Sequence, residues 1–450
     1  MAGWAETLKW KPACGDGDTP FWYITVPSDL AAKELAERSV LIKSIIEVWA
    51  EGDDDAWVAA QAAKYDAAAR KKYFSPDCSF KIVLDGFGKA ATVPETKEKI
   101  ELYGAIGFRG KVKMSNPDEL FWNITCYGGD IQGNDGTNGI EDCNDFIKSL
   151  NLPRWVCFGR ELGSSKRKEF LRKLDLKQRP YLGPTSMDTE LALLMSNQGG
   201  ARRGSLVYDP FTGTGSILLA ATYFGAYTWG GDMDIRVLRD GRNGKTNWTN
   251  FNTYKMQHPL ALVRCDNHSP PFRPDLECIF DAIICDPPYG IRAGGRKSGG
   301  RKILSGKVEP YRIEEKYRAD HIPSTAPYPL GECLADLLDL AARLLVVGGR
   351  LVYFIPSALE TYSPQCIPVH PGLKLIANCE QMLTRRWGRR LITMEKCSDY
   401  DASLAPAAKE DIIQRVSGTS FADNEDTQST IAKASRLPER SFAKHRGKKT

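Results

Sequence analysis

From Met187 onward, short apolar runs alternate with segments of helical period, and this rhythm constrains the fold more than any other feature of the chain. Residues 206–208, 226–229, 261–264, 281–285 and 350–355 are near-continuous apolar stretches of strand length, with helix-compatible segments between several of them. Strands that are apolar on both faces belong to a parallel sheet covered by helices on both sides, so this half is predicted to be α/β. Residues 373–379 and 391–394 follow without a helix-length spacer, and they are predicted to close the sheet as an antiparallel hairpin.

The N-terminal half reads as α+β. Residues 21–26 alternate like a short strand, Ser28-Asp29 opens a helix over 31–40, and 42–48 continues apolar. Strands suit 79–84, 110–114, 119–125 and 155–158, separated by a helix-compatible 95–102 and a Gly/Asn/Asp-rich loop at 127–139. Between 154 and 179, nine basic residues stand against three acids, with Lys166-Arg167-Lys168 opening a helix-compatible segment before a proline turn at 180–184. The chain's 450 residues are too many for one ordinary core. The expected division is an α+β region 1–72, a second α+β module 73–160, a basic linker 161–184, an α/β domain 185–400, and a polar, basic, disordered tail 401–450.

Composition removes several classes. No apolar run approaches the roughly 18 residues that span a bilayer. Residues 1–11 lack the order of a signal peptide, so the expected location is the cytoplasm. The 12 cysteines form no Cys-x-x-Cys and no paired His spacing, so no metal site is expected and the thiols are read as reduced. The net charge of +5 is local, because 431–450 alone carries seven Lys/Arg against one acid. That end reads as a solvated terminus rather than a specific contact.

The chemistry starts at Asp209-Pro210-Phe211-Thr212-Gly213-Thr214-Gly215, a glycine loop between a strand and the apolar helix 217–221, where a ligand can approach the backbone closely. Leu218 stands where the third glycine of a dinucleotide fingerprint would be, which favours a different nucleoside cofactor. Asp232 ends the next strand, about 20 residues downstream, where an acid takes ribose hydroxyls; Asp234 competes for that role. Asp266 ends the strand after that, where a carboxylate can accept an adenine amine. Each Asp alone is more often a cap or a turn residue. The strand 280–285 then runs directly into Asp286-Pro287-Pro288-Tyr289. Two prolines donate no backbone hydrogen bond, so the loop offers carbonyl oxygens beside the Asp286 carboxylate, and together these suit an amino group with two N–H bonds. Tyr289 can stack on a planar ring. A proline turn leaving a strand is the bland alternative.

Asp-Pro-Pro-Tyr after Asp-Pro-Phe-x-Gly-x-Gly resembles the S-adenosylmethionine-dependent amino-methyltransferases. Six segments sharpen the likeness: Ser44-Ile45-Ile46-Glu47-Val48-Trp49-Ala50-Glu51-Gly52, Phe108-Arg109-Gly110-Lys111-Val112, Phe158-Gly159-Arg160, Thr185-Ser186-Met187-Asp188, the run from Asp286 to Arg292, and Arg389-Arg390-Leu391-Ile392-Thr393-Met394-Glu395-Lys396. As a set they resemble the catalytic subunits of eukaryotic tRNA (guanosine-10 N2)-methyltransferases. The resemblance implies a Rossmann-like class I methyltransferase domain preceded by a ferredoxin-like and THUMP region. It also implies tRNA as substrate, S-adenosylmethionine as donor, and a small zinc-binding activator subunit as partner. It assigns Asp209, Phe211, Gly213, Gly215, Asp232 and Asp266 to the cofactor and Asp286, Pro287, Pro288 and Tyr289 to catalysis. The ferredoxin-like region is expected to be incomplete, since residues 1–18 read as neither strand nor helix. The same tetrapeptide also serves DNA adenine-N6 and ribosomal RNA amino-methyltransferases. A non-catalytic RNA-binding protein with a degenerate domain is the third reading. The basic stretches 154–179 and 291–317 are compatible with phosphate contacts.

Overall fold

The computed structural model describes residues 8–13, 19–127, 153–183, 186–289, 294–299, 314–318, 321, 324–360 and 362–417. The expected loop beyond Tyr127, most of the basic insert 291–317 and the basic end 431–450 lie outside them. The chain forms two compact units, Met1–Lys168 and Glu169–Thr450.

The first unit opens with a ribbon of β1 (Lys9–Pro12) and β2 (Trp22–Thr25), paired antiparallel. The stretch 1–18 therefore does hold a strand, contrary to the sequence reading; four residues with two lysines give no alternation to detect. Helix α1 (Asp29–Arg38) starts at Ser28, whose hydroxyl accepts from the Ala31 N–H, and buries Ala32 and Ala36 against Ile45. A four-stranded sheet follows in the order β3-β6-β5-β4. Its strands are β3 (Ser44–Gly52), β4 (Phe80–Phe87), β5 (Glu119–Tyr127) and β6 (Pro153–Ser164). Helices α2 (Asp55–Ala62), α3 (Ala67–Tyr73) and α4 (Val93–Gly104) connect them. The core is aromatic: Trp49 stacks on Tyr65, Tyr103 on Phe158 and Phe74 on Phe108. Arg160 on β6 binds Asp29 at 2.8 Å and Glu47 at 2.9 Å, tying α1 and β3 together.

Residues 110–114 are not the strand expected of them; they make a single bridge, Val112 to Phe80. A Cβ on Gly110 would stand 1.8 Å from the Cys78 carbonyl oxygen, so the glycine serves a backbone crossing. Within the expected linker β6 runs on to Ser164, and the helix-compatible segment opened by the basic triplet is helix α5 (Arg167–Lys173), which buries Phe170.

The second unit holds a seven-stranded sheet in the order β14-β15-β13-β10-β7-β8-β9. Its elements in chain order are α6 (Thr189–Gln198), β7 (Leu206–Asp209), α7 (Ser216–Tyr223), β8 (Tyr227–Asp232), α8 (Asn247–Thr253), β9 (Ala261–Arg264) and β10 (Phe280–Cys285). A small hairpin of β11 (Arg296–Ser298) and β12 (Thr325–Pro327) brackets the short helix α9 (Glu315–Arg318). Helix α10 (Leu330–Leu344), β13 (Leu345–Ala358), β14 (Leu373–Met382), β15 (Trp387–Lys396) and α11 (Ala405–Ser417) complete it.

Strands β9, β8, β7, β10 and β13 are parallel, and β15 is antiparallel to both β13 and β14. The parallel sheet with a closing antiparallel hairpin is thus present. Ile283, Leu351 and Tyr353 face α10, while Val207, Ala282, Ile284 and Val352 face α6 and α7, the alternation that a doubly covered sheet requires. Residues 405–417, assigned from composition to a disordered tail, are helical. Ile412 and Val416 of α11 are buried against α10.

Candidate active site

A cavity of about 1080 Å³ opens at the carboxyl ends of the parallel strands, where the crossing between β7 and β10 leaves a crevice. Among the residues lining it are Asp209, Phe211, Gly213, Asp232, Asp286, Pro287, Pro288 and Tyr289. Those eight predicted residues are brought together.

Asp209 ends β7 and is 1% exposed; its Oδ1 accepts from the Phe211 N–H at 3.0 Å, which bends the chain into the glycine loop. Gly213 has φ 51 and the nearest atom to a Cβ there would be 4.0 Å away, so its backbone borders open space. Gly215 behaves differently. It does not line the cavity, and a Cβ at φ 80 would stand 2.7 Å from Asn247 Oδ1, so this glycine serves packing rather than the ligand directly. Asp232 accepts from the Gly213 N–H at 2.8 Å and the Asp234 N–H at 2.9 Å, locking β8 to the loop. The competing Asp234 is held by Arg236 at 2.7 Å.

Asp266 departs from expectation. It is 8% exposed, does not line the cavity, and accepts from the Ser298 N–H at 2.6 Å and the His268 N–H at 3.0 Å. The β11–β12 hairpin takes up the carboxylate that the sequence reading gave to adenine. On that side the cavity is lined instead by Arg264, Arg296 and Thr325.

Asp286 follows β10. Its Oδ2 lies 3.7 Å from Arg389 Nη1, whereas Oδ1 is buried and accepts no hydrogen bond from a described residue; the Tyr289 hydroxyl is in the same condition. Buried polar atoms are nearly always paired, so two orphans lining one cavity mark a place where a ligand completes the bonding. Burial pushes the Asp286 carboxyl up to about 6, against the pull of the Arg389 guanidinium. Burial also holds Asp209 well above the usual carboxylate range despite the Phe211 N–H, and the charges of Asp232 and Asp286 add to it. Asp232 is raised by burial too, with the Asp234 and Gly213 N–H groups opposing. Three acids crowded at one end of a cavity are relieved by a cationic ligand.

Two families match the chain. The family described as Tmrp11 THUMP N-terminal domain matches residues 8–167, and RMKL-like, methyltransferase domain matches 177–304. A protein named tRNA (guanine(10)-N(2))-methyltransferase TRMT11 from Dictyostelium discoideum is 39% identical over 402 residues, covering 86% of this chain and 74% of its own length. The proteins of the same name from Gallus gallus and Homo sapiens are 35% and 34% identical, covering 85% and 86% of this chain and 80% and 81% of theirs. The chain belongs to the tRNA (guanine(10)-N2)-methyltransferase TRMT11 family. A solved structure of TrmN from Thermus thermophilus aligns with 83% of this chain and 89% of that chain at 18% identity, with a TM-score of 0.37, too low to add to the fold assignment.

In this TRMT11-family chain, sequence reading missed several groups that shape the site. Asn250 on α8 donates to the Tyr181 and Thr214 carbonyls and accepts from the Tyr181 N–H, pinning the segment before α6 to the glycine loop. Ser186 reaches the Thr214 hydroxyl at 2.7 Å, and Asp188, which caps α6, lines the cavity. Arg389 comes from β15, about a hundred residues after the tetrapeptide. Of these, only Ser186, Asp188 and Arg389 lay in segments that carried the family resemblance.

Among the described residues no helix is long and apolar enough to cross a membrane, and no group of three or more His, Cys, Asp or Glu is placed to hold a metal ion.

Proposed function

We propose that this chain transfers a methyl group from S-adenosylmethionine to the exocyclic N2 amine of guanosine 10 in tRNA, with Asp286 to Tyr289 holding the amine. Membership of the TRMT11 family supports the reaction and the substrate. The orphaned Asp286 Oδ1 carries the assignment of the residues. The donor fits the cavity by its chemistry: a sulfonium and an ammonium suit the cluster of Asp209, Asp232 and Asp286, and Gly213 leaves the backbone approachable.

When bound, S-adenosylmethionine supplies an electrophilic methyl carbon. Asp286 Oδ1 and the Pro287 carbonyl accept the two N–H bonds of the amine, drawing its lone pair out of the ring system and aiming it. Alignment of this kind contributes about 7–11 kcal/mol in favourable cases. Asp286 then holds the proton that the methylated nitrogen releases. Tyr289 stacks on the base, a contact worth roughly 1–3 kcal/mol. A paired guanine must be swung out at a cost of a few kcal/mol, so an independent grip on the RNA is needed. We assign that grip to the two N-terminal modules within 1–160 and transfer to 185–400, with 161–184 joining them. The same reading places the chain in the cytoplasm as the catalytic partner of a small zinc-binding activator. The family resemblance supports the activator.

Asp286→Ala is expected to abolish transfer of labelled methyl to tRNA while leaving tRNA affinity within about twofold. Transfer at the wild-type rate by that variant would remove Asp286 from the reaction.

A further inference from the structure

The antiparallel hairpin that closes the sheet brings one charged side chain to the tetrapeptide. Arg389 on β15 stands opposite Pro356 of β13 and Gln381 of β14. Its Nε donates to Gln381 Oε1 at 2.7 Å, and its guanidinium lies 4.0 Å from the Phe354 ring centroid. These two contacts leave Nη1 directed 3.7 Å from Asp286 Oδ2, with the Arg389 side chain 17% exposed and that of Asp286 29% exposed. A guanidinium is costly to bury, and this one is fixed from one side and above so that its charge falls on one oxygen of a carboxylate whose other oxygen is unsatisfied. At 3.7 Å the contact acts through charge rather than as a bidentate bond.

We propose that Arg389 is a positioning residue for methyl transfer: it anchors Asp286 as an anion through Oδ2 and leaves Oδ1 for the substrate amine. The proposal rests on the reading of Asp286 given above. The other charged and titratable groups facing the pair are Asp188 at the start of α6 and Asp209 at the end of β7, with Cys285 and Tyr289 on the chain flanking Asp286. Burial opposes ionisation of Asp286, and the Arg389 charge opposes that effect. Three other arginines on the cavity wall have their own partners: Arg236 binds Asp234, Arg264 donates to the Ser298 hydroxyl, and Arg296 donates to the Thr325 hydroxyl. Burial lowers the Arg389 guanidinium below its ordinary value while Asp286 and Asp188 raise it, so arginine, the most basic side chain, stays charged where a lysine is easier to neutralise.

The test is the pH dependence of kcat between pH 5.5 and 9, measured with tRNA for the wild-type chain, R389Q, R389K and Q381L. KM for tRNA and binding of S-adenosylhomocysteine are measured alongside. In the wild type, activity is expected to rise through an acid limb near pH 6, where the Asp286 carboxyl ionises. Loss of a cation at this distance raises a carboxyl by about one unit. R389Q is therefore expected to lose about fivefold at pH 6 and to recover most of it by pH 9, with KM for tRNA unchanged within about twofold. R389K should keep its limb close to the wild type. Q381L, which frees Nε but keeps the charge, should move the limb in the same direction by less, and it provides the test if R389Q fails to bind S-adenosylhomocysteine. A loss of equal factor at every pH, or a raised KM for tRNA with an unmoved limb, overturns the proposal. Wild-type transfer with unmoved limbs in R389Q and Q381L overturns the role of Arg389 alone. A wild-type chain without transfer even with the activator present overturns the reading of the site beneath it.

Discussion

At the scale of residues, the site spends stability on charge. Asp209 is buried at the end of β7 beside Asp232 and Asp286, and its carboxyl is raised well above the usual range by that burial. A carboxyl raised in the folded state contributes stability that is complete below the ordinary carboxylate range and is lost as pH climbs through the raised value. Asp209→Asn removes that loss, so the variant's melting temperature relative to wild type should climb from pH 4 to pH 8, by about 2–4 °C for each kcal/mol recovered. Its affinity for S-adenosylhomocysteine should fall. Differential scanning fluorimetry across that range reads the trend, and an Asn variant that loses ground as pH rises contradicts a charge-penalised carboxyl. The gathering of Asp209, Gly213 and the tetrapeptide on one cavity was legible from sequence, because each sits where a strand meets a turn. A strand-end Asp such as Asp266 looks alike in the sequence whether a ligand or the Ser298 N–H of an inserted hairpin takes its oxygens, and here the hairpin N–H does so. Asn250 gave no functional signal, and Arg389 stood out only within a segment of family likeness, since the groups both contact lie on other elements far along the chain.

At the scale of elements, the period of apolar residues was a sound guide to the sheet and a poor one to its surroundings. The parallel strands and the closing hairpin carry continuous apolar runs that burial on both faces demands. Helix α11 lacks such a run, and its polar composition resembles a tail. Yet Ala408, Ile412 and Val416 recur at every fourth residue and are all buried, a stripe that fits one helix face. Lys409 binds Asp336 at 3.0 Å beside that stripe. The Lys396 ammonium, 1% exposed, donates to the Leu345 carbonyl at 2.8 Å and so ties the last strand to the end of α10. Docking of α11 against α10 thus seals the core around Leu337 and Leu338. Ile412→Ala should cost about 2–5 kcal/mol by the usual range for a buried side chain of that size. Urea unfolding followed by tryptophan fluorescence measures it, and a change below about 0.5 kcal/mol would mean that α11 is not part of the folded core in solution.

At the scale of the whole molecule, the division of labour follows the division of the chain. One unit carries a four-stranded sheet over an aromatic core and matches a THUMP N-terminal domain; the other carries the cavity, the acids and the tetrapeptide. Methylation of one amine in one RNA by these units is read from the product. Unmodified tRNA transcripts are incubated with labelled S-adenosylmethionine and the chain, with and without the small zinc-binding activator, and the modified nucleoside is mapped by mass spectrometry. N2-methylguanosine at position 10 is expected, with no methyl group in the Asp286→Ala reaction. Methylation of an adenine amine, of another tRNA position, or of nothing even with the activator present would contradict that expectation.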